Sequence, residues 1–238
     1  MDLIAGVGNT LDKYPENISM SFEVQDEYAQ ALDKLVPALK KSYEQMKQSC
    51  CSYDFDYSKA IINRLRAFYY LQSGTKQFLD KKVAQAGSDF FVETILFFLM
   101  LFNDVEKLGF EIKSELAIQR KRKALRPDIT IWRGSELLAV IECKTQLGWH
   151  RHEWNRHFTD RENKTKEVFP NASIFLVVMS GCNWDGFGKD PRVGEQLFCL
   201  LNSGIWPTDL PIEYDANLID THVKELFDKL RDLQKSCD

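Results

Sequence analysis

At 238 residues, 44% hydrophobic and 28% charged, the chain can bury a substantial core and form one large domain, or one domain with a helical extension. A net charge of -4 and a pI near 5.7 argue against coating nucleic acid through global charge, so any such contact must come from local clustering. The best membrane candidate, Ile95 to Phe102, is too short to span a bilayer, and Met1-Asp2-Leu3-Ile4-Ala5-Gly6 lacks the basic and apolar regions of a secretory signal, so a cytoplasmic protein without a membrane partner is expected.

Tyr28, Leu32, Leu35, Leu39 and Met46 recur at helical spacing, which predicts helix over 24–46, and 57–71 continues in the same manner. Ser73-Gly74 is expected to break that pattern, with a short helix over 76–84 beyond it. Residues 1–86 therefore read as a helical N-terminal region. Ser88, with Asp89 in the favourable first turn, is a suitable N-cap for a helix running to about Glu106, followed by a strand near 110–116.

The run Arg120-Lys121-Arg122-Lys123-Ala124-Leu125-Arg126 then places five cations directly before an apolar β segment, and Arg151 and Arg156 follow the next one. Such a cluster can hold a phosphate backbone and offset its repulsion from nearby acids. Adjacency to acids, rather than charge count, favours phosphate contact over a solvated basic hairpin.

The two β segments are Asp128-Ile129-Thr130-Ile131-Trp132 and Leu137-Leu138-Ala139-Val140-Ile141-Glu142-Cys143-Lys144, separated by a turn signal at Arg133-Gly134-Ser135. Because strand residues two apart share a face, Glu142 and Lys144 are neighbours on one side while Ile141 and Cys143 face the other. Pairing the Ile129 and Ile131 face with the Ile141 and Cys143 face puts Asp128 beside Glu142 and Lys144. A plain two-residue turn gives the wrong parity, so a three-residue loop with a bulge at a left-handed Gly134 is expected. Carboxylates inside apolar strands are costly without a cation, and two of them with an ammonium suit Mg²⁺-assisted phosphodiester hydrolysis. Asp128 and Glu142 would hold the ion, and Lys144 would orient water or neutralise developing charge. The alternative for the same acids is an ion pair at a strand end, with Lys144 or Arg126 as the cation.

Further along, His150, His152 and His157 cluster without a nearby cysteine, so DNA contact through Arg151 or Arg156 is favoured over a zinc site. Six cysteines show no C-x-x-C pairing or regular framework, which points to reduced thiols. Helix is expected over 154–168 and a buried strand over 172–179, closing a core that spans 87–180. Gly181 to Gly188 is rich in turn formers and lacks a phosphate-binding fingerprint, so it should be a loop. Ile219, Val223, Leu226, Leu230 and Leu233 form the stripe of a terminal helix that packs on its own domain or makes a dimer seam, so 181–238 reads as loop and helix on the core.

Pro127-Asp128 and Glu142-Cys143-Lys144, thirteen residues apart between the acids, resemble the motif of the PD-(D/E)XK nuclease superfamily, which includes most type II restriction endonucleases. The resemblance covers about 87–180, and the Gly87 to Leu96 helix supplies Glu93 as the matching upstream acid. It implies an α/β restriction-endonuclease-like core of helix, three strands, helix and strand, with Glu93 as an auxiliary catalytic acid and metal ligand beside Asp128, Glu142 and Lys144. It further implies Mg²⁺-dependent cutting of double-stranded DNA to 3'-hydroxyl and 5'-phosphate ends, with a homodimer for symmetric cutting. A glutamate on the solvent face of a helix needs no such role, but the apolar neighbours of Glu93 favour the functional reading. Two other functions remain open at this point: a non-cleaving DNA-binding protein on a nuclease-like fold, and an α/β protein that binds no nucleic acid and merely pairs its acids with lysine.

Overall fold

The computed structural model describes residues 22–49, 55–120, 122, 124–147, 153–181, 189–202, 206–210 and 218–235. The chain divides into two compact units, Met1–Tyr53 and Asp54–Asp238. In the first, α1 (Glu27–Asp33) and α2 (Leu35–Ser49) stand where one helix was expected over 24–46. Pro37 accounts for the interruption, since it lacks the N–H that would close on the Asp33 carbonyl and is tolerated only in a first turn. Asp26 caps α1 by accepting from the Ala29 N–H at 3.0 Å.

The second unit begins with α3 (Tyr57–Phe78), capped by Asp56 accepting from the Lys59 N–H at 2.9 Å. The unit boundary thus places this helix with the sheet rather than in an N-terminal region ending at 86. The helix also runs through Ser73-Gly74, because an exposed interior glycine costs only about 1 kcal/mol. Lys76 to Phe78 are its last turn, and no helix spans 79–84, where Asp80 has φ 50. Next comes α4 (Ser88–Glu106), with Gly87 rather than Ser88 at the N-cap; the Ser88 hydroxyl bonds the Asp89 carboxylate at 3.3 Å instead of a backbone N–H. A Cβ at Gly87 would lie 2.3 Å from the Tyr69 hydroxyl, so any larger residue there must displace that ring. Asn103 then braces the exit by exchanging two bonds with the Phe110 backbone, at 3.0 and 3.2 Å.

Five strands form one mixed sheet in the order β1 (Glu111–Ser114), β2 (Ile129–Arg133), β3 (Glu136–Lys144), β4 (Ser173–Ser180) and β5 (Leu197–Leu201). The first three are antiparallel, and β3, β4 and β5 are parallel. α5 (Trp154–Lys166) makes the crossover from β3 to β4, as a parallel pair requires. The protein is therefore a mixed α/β fold in which helix, three strands, helix and strand follow one another. β5 lies beyond that expected order. β3 and β4 are buried along nearly their whole length, which explains their near-continuous apolar runs.

The sheet separates two apolar layers. Val177, Phe198 and Leu200 face α3, α4 and the terminal helix α6 (Asp220–Lys235), whereas Val140, Leu176, Val178 and Cys199 pack with Phe158 of α5. The stripe of α6 lies inside this unit: Phe227 stacks on Phe102 with ring centroids 4.1 Å apart, and Val223, Leu226 and Leu230 are buried. No helix among the described residues is long and apolar enough to cross a membrane.

Candidate active site at the β2–β3 hairpin

Arg133 pairs with Glu136, so the hairpin turn is the two residues Gly134-Ser135 and not a three-residue loop. Gly134 has φ 59, the positive value that the first central residue of a primed turn needs. The required bulge sits further in. Trp132 pairs with Leu137 but Ile131 with Ala139, which leaves Leu138 as the extra residue. Beyond it Ile129 meets Ile141, and the next step carries Asp128 opposite Glu142. Without Leu138 the register would set Asp128 opposite Ile141, on the other face.

Asp128, Glu142 and Lys144 do converge. The Lys144 Nζ lies 3.5 Å from Asp128 Oδ2 and 3.9 Å from Glu142 Oε2. Asp128 Oδ2 also accepts from the Cys143 N–H at 2.7 Å, and its backbone carbonyl accepts from the Ser114 hydroxyl and the Glu115 N–H at 3.0 and 3.1 Å. The three side chains differ in depth: Glu142 is 2% exposed, Asp128 25% and Lys144 46%.

A fourth charge completes the group. Arg161, on α5, donates from Nη1 to Glu142 Oε1, while Oε2 is buried and makes no hydrogen bond. Burial pushes the Glu142 carboxyl up to about 7; Arg161 opposes this, Asp128 adds to it and Lys144 opposes it. Sequence reasoning missed Arg161, although the signal was present. Trp154, Phe158, Arg161 and Thr165 recur at steps of four and three along one helix face, and both Phe158 and Thr165 are buried. A cation in such a stripe needs a buried partner. Glu142, Lys144, Trp154, His157, Phe158 and Arg161 line a cleft of about 320 Å³ beside the acids.

The remaining expected site residues fall elsewhere. Glu93 is not brought to the pair: it is exposed on α4, near Arg64, and α4 packs on the Val177 and Phe198 layer, opposite the face from which Glu142 projects. Arg120, Arg122 and Arg126 are exposed on or just after a loop closed by the Ile118 N–H on the Leu125 carbonyl at 3.1 Å. Arg156 is exposed and bonded to Glu153 at 3.0 Å. Lys121, Lys123, Arg151, His150, His152 and the 182–188 part of the glycine-rich loop lie outside the described residues. His157 sits 3.6 Å from Glu153, and among the described residues no three His, Cys, Asp or Glu are placed to hold a metal together.

Two carboxylates nevertheless suit a small hard cation that keeps several waters and completes its shell with substrate oxygens. Glu142 Oε2 is a buried acceptor without a hydrogen bond, and the side-chain bonds to Asp128 end on Oδ2 alone. The donor set therefore fits Mg²⁺ through Asp128 and Glu142, without Glu93. No family model matches the chain, and a search of curated proteins finds no match.

Proposed function

We propose that the protein is a Mg²⁺-dependent endonuclease that hydrolyses phosphodiester bonds of double-stranded DNA, of the type II restriction kind and built on a PD-(D/E)XK motif. The observation that carries this reading is the convergence of Asp128, Glu142 and Lys144 at one end of the β2–β3 hairpin. Asp128 and Glu142 would hold the ion. When bound, Mg²⁺ supplies Lewis-acid polarisation of the phosphoryl group and lowers the pKa of an attacking water. Lys144, half exposed at the rim, donates hydrogen bonds to that water and neutralises charge developing on the phosphoryl oxygens. Arg120, Arg122 and Arg126, on the approach to β2, contribute non-specific phosphate contacts. A homodimer would cut both strands symmetrically. The buried free thiols of Cys143 and Cys199 accord with a reducing cytoplasmic setting.

Supercoiled plasmid incubated with Mg²⁺ tests the proposal. Cutting is expected from the wild type, with loss in Asp128→Asn and Lys144→Ala variants that melt as the wild type does; cutting that survives Asp128→Asn rejects it. A second reading, a DNA-binding protein that does not cleave, gains support from Arg161, which already occupies one oxygen of Glu142. That reading expects salt-sensitive DNA binding without metal-dependent cutting.

A further inference from the structure

We propose that the cleft beside the acids receives an unpaired nucleotide of the DNA, its base against Trp154 and Phe158 and its phosphate between Lys144 and Arg161, an assignment that rests on the nuclease reading above. The cleft combines the two chemistries a nucleotide needs. Trp154 and Phe158, one turn apart on α5, supply aromatic walls, with Leu147 and Leu176 also lining the space. Lys144, His157 and Arg161 bring cationic or hydrogen-bonding groups to the same cavity.

Size and chemistry exclude an intact helix. At about 320 Å³ the cleft is at the lower end of the small-ligand range, roughly 300–1,000 Å³. Bases inside a duplex present only their edges, because their faces are covered by neighbours. An aromatic wall therefore gains contact only from a base that has left the stack, as at an overhang, a frayed end or a flipped position.

The walls and the anion site are also held in place. Arg192 lies 5.4 Å from the Trp154 ring centroid and 5.9 Å from that of Phe158. It is fixed in turn by Asp190 at 2.6 and 2.9 Å and by Asn155 at 2.9 Å. Platforms fixed before binding lose less entropy when a ligand arrives. Arg161 engages Glu142 through Nη1 alone and is 38% exposed, so a guanidinium with five N–H donors keeps others for a phosphate. Held there, the phosphate lies beside the carboxylate that the nuclease reading assigns to the metal.

Fluorescence anisotropy in EDTA, with a blunt duplex and the same duplex carrying a short single-stranded overhang, tests the site without any metal or turnover. The overhang duplex is expected to bind roughly 10-fold more tightly, and Trp154→Leu and Arg161→Gln should each collapse that preference towards unity. Equal affinity for the two duplexes, or a preference that survives both substitutions, overturns the assignment. Photocrosslinking of an iodouracil-labelled overhang to the wild type needs no variant to fold: adducts on Trp154, His157 or Phe158 support the site, and adducts confined to other residues reject it. Metal-dependent plasmid cutting without overhang preference removes this inference and leaves the nuclease reading intact, whereas neither binding nor cutting of any DNA removes both.

Discussion

Arg161 and Glu142 form an ion pair across the α5–β3 interface, with the carboxylate almost fully buried and the guanidinium partly open to the cleft. Because only one carboxylate oxygen is engaged, the arginine moderates the buried charge without neutralising the whole group. Removing the arginine leaves that charge with only the longer contact to Lys144, at 3.9 Å. Breaking a fully buried pair costs about 3–5 kcal/mol, and the partial exposure of Arg161 brings the expected loss for Arg161→Ala nearer to about 2 kcal/mol. Urea unfolding at mildly alkaline pH measures it. Adding Glu142→Gln to the same chain should recover most of the loss, and a double variant no more stable than Arg161→Ala alone refutes the coupling.

Glu142 also sets a pH dependence whose sign follows from its raised pKa. Its carboxyl moves from an ordinary 4.5 to about 7 on folding, because burial outweighs the help of Arg161 and Lys144 and Asp128 adds repulsion. Below the unfolded value both states are protonated and the fold carries its full stability. As pH rises the unfolded chain ionises first, and the advantage is lost on passing about 7. The full difference, of order 3 kcal/mol, develops between pH 4.5 and about 7. Glu142→Gln should flatten the pH profile of the urea midpoint over this range, and an equally steep profile in the variant would show that other groups govern it.

Metal binding should run the opposite way with pH. A divalent ion needs the ionised carboxylate, so Mg²⁺ should stabilise the protein more above pH 7 than below it. At a hundredfold excess over Kd the gain is about 2.7 kcal/mol. Thermal melts with and without Mg²⁺ at two pH values read this directly. The stabilisation should vanish in Asp128→Asn, and its persistence there would move the ion away from the hairpin.

For Lys144, the role in turnover separates from the role in structure because the side chain is half exposed and its ion pairs are long, at 3.5 and 3.9 Å. Lys144→Ala is expected to lower the cleavage rate by about 10²–10³-fold while its melting temperature falls little. Single-turnover cleavage with enzyme in excess isolates the chemical step. A rate within a few-fold of wild type would strip the lysine of its part in the chemistry.

The convergence of Asp128, Glu142 and Lys144 was legible in the sequence because strand side chains alternate strictly and apolar neighbours fix which face is buried. The means of convergence was not. A bulge in the loop and a bulge at Leu138 give the same parity, and the sequence does not choose between them. Arg161 escaped notice because a helix stripe is read by its apolar members, although a lone cation in the Trp154 and Phe158 stripe signals a buried acid across the interface. The placement of Glu93 failed for a different reason: spacing along a helix says nothing about which face of the sheet it covers. Gly74 misled because an exposed glycine weakens a helix without ending it.

Leu138 offers the sharpest test of the hairpin. Deleting it, with every other residue kept, removes the register shift between Trp132 and Ile131 and turns Asp128 towards the layer that holds Ile141. A carboxylate forced into that layer must be protonated or leave the fold, at a cost of several kcal/mol. The deletion should therefore destabilise far more than Leu138→Val, a volume change of about 1 kcal/mol that keeps the residue count. Cleavage and Mg²⁺ stabilisation should both disappear in the deletion and persist in the valine variant. A deletion that folds and still gains stability from Mg²⁺ would mean that the acids meet by some route other than this bulge.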